Sequence, residues 1–105
     1  MKRKLTTKED IVECLLEKRE RLAALGVVSL GLFGSFVRGE QTPASDVDIL
    51  VEFSPDKHTF DNFMELSFLL EDLLERKVEI VTPEALSPYI GPYILKEVER
   101  VSIAA

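Results

Sequence analysis

Two short polar motifs near the middle of the chain carry the residue types used in phosphate and metal chemistry. A glycine and a serine, Gly34 and Ser35, are followed after ten residues by the carboxylate pair Asp46 and Asp48. Because side chains alternate across a β-strand, both carboxylates are expected on one face, roughly 6 to 7 Å apart. Two anions this close repel unless a cation lies between them, and such oxygens suit Mg²⁺ shared with substrate phosphates. The pair therefore predicts a divalent-metal site.

The Gly34-Ser35 pair has the complementary chemistry of a phosphate-binding loop. Glycine lets the backbone approach a phosphate closely and can adopt positive φ, while the serine hydroxyl and the following amides donate hydrogen bonds. A short helix beginning near Phe36 would direct its N-terminus at the anion. Arg38 in the same loop could contact a triphosphate or the leaving pyrophosphate, or it could form a structural salt bridge.

A third carboxylate occurs in the next stretch of strand composition. Glu79 is flanked by the apolar residues Val78 and Ile80, and an acid at such a position is better explained as a metal ligand or a base than as a solubilising charge. Two other polar residues are weaker candidates. His58 has no Cys or second His at metal-binding spacing, and Glu52 lies at the far end of the carboxylate-bearing strand, where a solvated charge is the simpler interpretation.

The Gly-Ser-x₁₀-Asp-x-Asp pattern resembles the signature of the polymerase-β-like nucleotidyltransferase superfamily, and the short chain is similar to its minimal nucleotidyltransferase (MNT) branch. The segment 78–90 is similar to the C-terminal block of MNT proteins. The resemblance therefore spans approximately residues 22–96, and the Gly-Ser and Asp-x-Asp motif is its most specific part.

The resemblance implies a role for each matching residue. Asp46 and Asp48 would bind two divalent metal ions, Gly34 and Ser35 would hold the nucleoside triphosphate, and Glu79 would complete the metal site. Superfamily members often have Asp at this last position, whereas the Glu side chain is one methylene longer and carries its carboxylate further from the backbone. A nucleoside triphosphate and Mg²⁺ are thus the implied substrate and cofactor.

The resemblance also implies a partner and an activity. MNT proteins commonly act as antitoxins of HEPN toxins, and some modify the toxin with AMP, so the implied reaction moves AMP from ATP to a hydroxyl, such as that of a toxin Tyr. A non-catalytic antitoxin that masks its partner is the alternative hypothesis. Modification of a small molecule such as an aminoglycoside is a third hypothesis. It would need walls around the acceptor that this short chain does not supply by itself, and a partner or a homodimer could supply them. The sequence does not fix the oligomeric state.

Apolar periodicity predicts an α/β fold with a small mixed β-sheet and flanking helices, which must position these side chains. A first helix is expected from Thr7 to Leu25, begun by a capping box of Thr6 and Glu9 and ended by Gly26. The remaining helical segments are predicted at 60–76, in a short stretch after Thr82, and at 94–101.

Three strands are predicted. The stretch from Val27 to Phe33 is apolar and bounded by glycines, which indicates a buried central strand. Apolar and polar residues alternate from Asp46 to Phe53, so the metal-binding pair is expected in a second strand. A third strand is expected from Lys77 to Val81.

Composition limits the size and the class of the protein. A chain of 105 residues is expected to form a single domain, 1–105, and its formal net charge of −6 argues against direct nucleic-acid binding, a polymerase or a repressor. The single Cys14 is expected to be a buried small hydrophobe, which fits a cytoplasmic protein. The basic run Met1–Lys4 is not followed by an apolar stretch, so no targeting or membrane-spanning segment is predicted.

Three apolar residues near the C-terminus, Tyr89, Ile90 and Tyr93, lie among prolines and a glycine. They could form an exposed patch for a partner protein. They could equally pack the C-terminal segment onto the sheet, and the sequence alone does not choose between the two.

Overall fold

The computed structural model describes residues 6–103 and contains a four-stranded mixed β-sheet with helices around it, which confirms the predicted fold class. The strands are β1 (Val27–Phe33), β2 (Val47–Phe53), β3 (Val78–Val81) and β4 (Glu99–Ser102), in the spatial order β3-β2-β1-β4. Strand β1 pairs antiparallel with β2 and β4, whereas β2 and β3 are parallel. The predicted central position of β1 is correct.

Five α-helices occur within residues 6–103, together with two short 3₁₀ turns at Pro55–Lys57 and Pro83–Ala85. The helices are α1 (Lys8–Glu17), α2 (Arg19–Ala24), α3 (Ser35–Arg38), α4 (Phe60–Leu74) and α5 (Gly91–Glu97). None of the helices in this part of the chain has the length and apolar character needed to cross a membrane. The basic run Met1–Lys4 lies outside the described residues.

One face of the sheet carries the hydrophobic core. Alternate strand residues pack there against α1, α2 and α4, and nearly all of the side chains involved are fully buried. This core face contains, from the strands, Leu30, Leu32, Val47, Ile49, Val51, Val78 and Val101, and from the helices Ile11, Cys14, Leu15, Leu22, Leu66, Leu70 and Leu74. The burial of Cys14 is as predicted.

The opposite face of the sheet, called the open face below, carries the intervening residues. Asp48, Glu79 and Arg100 lie on it. Within residues 6–103, Leu50 is the one large side chain of this face that is almost fully buried, and it is not part of the core cluster. Val98 covers part of this face, because its Cγ2 atom would lie 2.4 Å from a Cβ placed on Gly31. The missing side chain of Gly31 therefore lets the segment before β4 lie directly on β1.

The predicted first helix is in fact two helices, with a break at Lys18. Because no apolar residue occurs between Leu16 and Leu22, burial does not hold the intervening turn in one continuous helix. The capping box is also one residue later than predicted. The Thr7 hydroxyl accepts the Asp10 amide, and the Asp10 carboxylate accepts the Thr7 amide in return.

The predicted C-terminal helix at 94–101 was wrong in its second half. Helix α5 ends at Glu97, and the chain then forms β4 on the free edge of β1. Val101 and Ile103, two residues apart, are both buried, which is the spacing of a strand and not of a helix. Hydrogen bonds to β1 and this burial together outweigh the local helical preference.

Candidate active site

The Gly-Ser turn lies directly against the second carboxylate of the Asp-x-Asp pair. Gly34 follows β1 with φ 82° and ψ −154°, a conformation that L-residues with side chains rarely adopt. A Cβ at this position would lie 2.1 Å from Oδ2 of Asp48, so any side chain would displace the carboxylate. Antiparallel pairing of Phe33 with Asp48 produces this contact. The structure thus brings the two motifs together.

The carboxylate of the third strand also reaches this place. In the parallel pairing of β2 with β3, Asp48 stands opposite Glu79, and both side chains belong to the open face. Burial raises the pKa of the Asp48 carboxyl to about 6, and the charge of Glu79, a hydrogen bond with it and the charge of Asp46 act in the same direction. Glu79 and Asp46 therefore lie close enough to Asp48 to disfavour its ionisation.

The donor set at this position fits a hard cation that keeps ligands from outside the protein. Carboxylate oxygens are suitable ligands for Mg²⁺, and a cation would offset the repulsion between these groups. Among residues 6–103, however, no three His, Cys, Asp or Glu side chains lie close enough to hold a metal ion by themselves. An ion here would need further oxygen ligands from a bound molecule. Substrate phosphates supply such oxygens to Mg²⁺.

Arg38 ends α3 beside this cluster and takes part in two ion pairs. Its Nε donates to Glu40 at 2.6 Å and its Nη1 donates to Glu97 at 2.7 Å. The hydrogen bond with Glu40 is the largest cause of a raised pKa of Arg38, and the charge of Glu97 adds to it. The structural salt bridge considered for Arg38 is thus present, but half of its side chain remains exposed. The hydroxyl of Ser35 makes no hydrogen bond to any other residue in 6–103.

Arg76 holds the loop from which Asp46 enters the site. Its Nη1 donates to the backbone oxygens of Pro43 and Ser45, at 3.0 Å each, and its guanidinium lies 5.1 Å from the ring centre of Phe36 in α3. From the apolar periodicity alone, Arg76 is only the last residue of the helical segment predicted at 60–76. These contacts join residues more than 30 positions apart, and no local pattern signals them.

The two weaker candidates, His58 and Glu52, contact residues outside the carboxylate cluster. His58 stacks on the ring of Phe53, with centroids 5.1 Å apart, and Glu52 forms an ion pair with Arg100 across the open face. Neither is part of the carboxylate cluster described above. The open question about the C-terminal apolar residues is answered by exposure: Tyr89, Ile90 and Tyr93 are 86, 56 and 73% exposed, so the packing interpretation was wrong.

Comparisons with known proteins agree with this geometry. Residues 9–101 match the family model described as nucleotidyltransferase domain. The chain is 40% identical over 98 residues to the protein adenylyltransferase MntA of Thermococcus cleftensis, an alignment that covers 92% of this chain and 98% of that protein. This similarity confirms the resemblance drawn from the sequence motif.

Solved structures share the fold. One described as a candidate minimal nucleotidyltransferase has a TM-score of 0.68 and 35% identity, covering 84% of this chain and 93% of that chain. A toxin–antitoxin structure with AMP-PNP has a TM-score of 0.60 and 23% identity, covering 78% of this chain and 70% of that chain. The second likeness concerns the fold alone.

Proposed function

Because this chain belongs to the nucleotidyltransferase domain family and is a nucleotidyltransferase, we propose that it transfers AMP from ATP to a hydroxyl group of a partner protein. In this reaction the hydroxyl oxygen forms a bond to the α-phosphorus and gives its proton to solvent water, while the bond between the α-phosphorus and the oxygen that bridges it to the β-phosphorus breaks, so that pyrophosphate leaves. The observation that carries the proposal is the close approach of Gly34 to the Asp48 carboxylate: the turn that we propose to bind phosphate lies against the group that we propose to bind metal.

We assign the metal site to Asp46, Asp48 and Glu79. Mg²⁺, two ions when nucleotide is present, would neutralise the triphosphate and stabilise the leaving pyrophosphate. The raised pKa of Asp48 supports the assignment, because burial and then the neighbouring carboxylates disfavour its ionised form, and a bound cation would favour that form. These three carboxylates orient the ions, and the polyphosphate supplies the oxygens that the protein lacks.

We assign nucleotide binding to Gly34, Ser35 and Arg38. The absence of a side chain at Gly34 lets a phosphate approach the carboxylate cluster, and the Ser35 hydroxyl is available as a donor because it is unpaired within residues 6–103. The exposed half of Arg38 can face the polyphosphate while its other edge is held by ion pairs. Gly34 lies against Asp48, and Arg38 is close enough for its charge to act on the Asp48 carboxyl.

We propose that the acceptor is a Tyr hydroxyl of a HEPN-type toxin and that the protein is its cytoplasmic antitoxin. A relative with 40% identity is named a protein adenylyltransferase, and the fold is shared with a toxin–antitoxin structure. The open face leaves room for a protein acceptor, and the exposed Tyr89, Ile90 and Tyr93 offer it an apolar contact. Attached AMP would block the toxin's surface and add negative charge.

The test is to incubate the protein with the toxin encoded beside it, ATP and Mg²⁺, and to search the toxin's peptides for AMP by mass spectrometry. The parent should give an adduct, and Asp46→Asn/Asp48→Asn should lower its rate of formation by roughly 1,000-fold, since a metal contributes several kcal/mol to the transition state. Circular dichroism should confirm that the variant folds.

The same experiment separates the non-catalytic alternative. An antitoxin that only masks its partner would neutralise the toxin equally well as the parent and as the Asp46→Asn/Asp48→Asn variant, with no AMP adduct in either case. That combination of results would rule out the enzymatic proposal for this partner.

A further inference from the structure

One carboxylate, that of Glu97, joins both ends of α3 to the C-terminal part of the chain. Its Oε1 accepts the backbone amide of Gly34 at 3.0 Å and Nη1 of Arg38 at 2.7 Å. Gly34 immediately precedes α3 and Arg38 is its last residue. The side chain of Glu97 is only 21% exposed, against 51% for Arg38. A single acceptor thus connects the turn and the guanidinium to which we assigned nucleotide binding.

We propose that Glu97 is a positioning residue, which fixes the Gly34 turn and the Arg38 side chain in the geometry that receives the triphosphate. The inference rests on the proposed function, because it concerns the same nucleotide site. Without Glu97, the Gly34 amide would lose its acceptor and the long Arg38 side chain would keep only its contact with the more exposed Glu40.

The geometry of the guanidinium supports this role. Arg38 has five N–H donors in one plane, of which Nε is directed at Glu40 and one on Nη1 at Glu97. Its Nη2 donors have no protein acceptor within residues 6–103. Because carboxylates hold both Nε and Nη1, the plane of the guanidinium is fixed and Nη2 is oriented before the ligand arrives, so less side-chain entropy is lost on binding.

The backbone around Glu97 is itself held in place. Val98, the next residue, fills the space over Gly31, and β4 begins at Glu99, which pairs with Leu32 of β1. Since β1 continues directly into Gly34, the carboxylate and the turn that it contacts are both attached to the same part of the sheet. Glu97 can therefore transmit this fixed geometry to Arg38.

Nucleotide binding provides the first test, by calorimetric titration of Mg²⁺-ATP into the parent and its variants. Glu97→Ala should weaken binding by about tenfold, the effect of losing one or two hydrogen bonds to charged groups. Glu97→Gln keeps an acceptor oxygen and should restore most of the affinity. Glu99→Ala is the matched control: it removes a carboxylate two residues away that pairs with Lys8, and affinity should not change.

A double-mutant cycle adds a readout that a merely structural role would not move. Because Glu97 acts partly through Arg38 and partly through the Gly34 turn, Arg38→Ala/Glu97→Ala should bind Mg²⁺-ATP more weakly than Arg38→Ala alone, but by clearly less than the loss that Glu97→Ala causes in the parent. Fully additive losses would overturn the proposal. So would unchanged or tighter binding by Glu97→Ala, which would mean that the carboxylate is dispensable or competes with the phosphates for the same donors.

Hydrogen exchange of the Gly34 amide, measured by NMR without nucleotide, separates this proposal from the proposed function. The amide should be protected in the parent and in Glu97→Gln, and should exchange at least about tenfold faster in Glu97→Ala. Equal exchange in the parent and Glu97→Ala would overturn the proposal whatever the nucleotide does. If the parent binds no nucleotide, the proposed function fails, whereas selective loss of this protection still supports the positioning role.

Discussion

The two faces of the β-sheet are built from the same strands, but one face stabilises the fold and the other carries the candidate active site. On the core face, Leu32 and Ile49 are paired across β1 and β2 and are fully buried beneath helices. In the next pair of the same two strands, Phe33 stands opposite Asp48, which on the open face also stands opposite Glu79 of β3 and lies against the Gly34 turn. Alternation of side chains lets one face supply hydrophobic stabilisation while the other holds charges that repel each other. The stability of the fold and its chemistry therefore depend on different residues.

The largest expected effect on stability belongs to the core face. Leu32→Ala should lower the free energy of unfolding by about 2 to 5 kcal/mol, because it removes a fully buried side chain and leaves a cavity. Urea denaturation monitored by circular dichroism would measure the change. Arg100→Ala, on the open face, breaks an exposed ion pair with Glu52 and should cost less than about 1 kcal/mol. A comparable cost for the two variants would contradict this division of the sheet.

The sequence predicts those parts of this division that depend on neighbouring residues, and it misses those that depend on contacts between residues far apart in the chain. Strand β1 was predicted from a continuous apolar run bounded by glycines, and the strand of the carboxylate pair from local alternation; the structure brings Gly34 and Asp48 together. Strand β4 was missed because four residues with two charges are too short to show a period, and its identity depends on the edge of β1.

The positioning residues were missed for a similar reason. Arg76 and Glu97 each end or follow a helix, where a charged residue usually indicates solvent exposure. Their partners lie 31 to 63 positions away, so only the folded chain reveals that Arg76 holds the loop before β2 and that Glu97 contacts Gly34. Sequence patterns identified the groups assigned to the chemistry but not those that hold them in place.

Two glycines with positive φ, one at each end of α3, provide a sharper contrast. A Cβ at Gly34 would lie 2.1 Å from the Asp48 carboxylate, whereas a Cβ at Gly39 would meet nothing within 4 Å. Both alanine variants strain the backbone, but only Gly34→Ala should also displace the carboxylate. We expect Gly34→Ala to weaken Mg²⁺-ATP binding by at least about tenfold and Gly39→Ala by less than about threefold, measured by calorimetric titration. Equal losses would mean that backbone strain, and not the contact with Asp48, governs the site.

The smallest predicted effect is a gain in stability when a carboxylate is removed from the open face. The pKa of Asp48 is raised from its ordinary value of 3.8 to about 6 in the folded protein, first by burial and then by Glu79 and Asp46. The folded state therefore binds this proton more tightly than the unfolded state does. The resulting penalty is absent below pH 4, grows between pH 4 and 6, and is complete above pH 6.

Asp48→Asn should remove that penalty. Because Asp48 is only half-buried, solvent screening limits the gain to about 1 kcal/mol at pH 7.5, and the gain should disappear near pH 4. Urea denaturation without Mg²⁺ or nucleotide at both pH values would measure it. Glu52→Gln, a carboxylate on the same strand and face but paired with Arg100, should give no gain at either pH. A destabilised Asp48→Asn protein at pH 7.5 would show that the Asp48 carboxylate contributes to folding. Mg²⁺-ATP should reverse the order and stabilise the parent more, because the bound cation offsets the repulsion that the substitution removes.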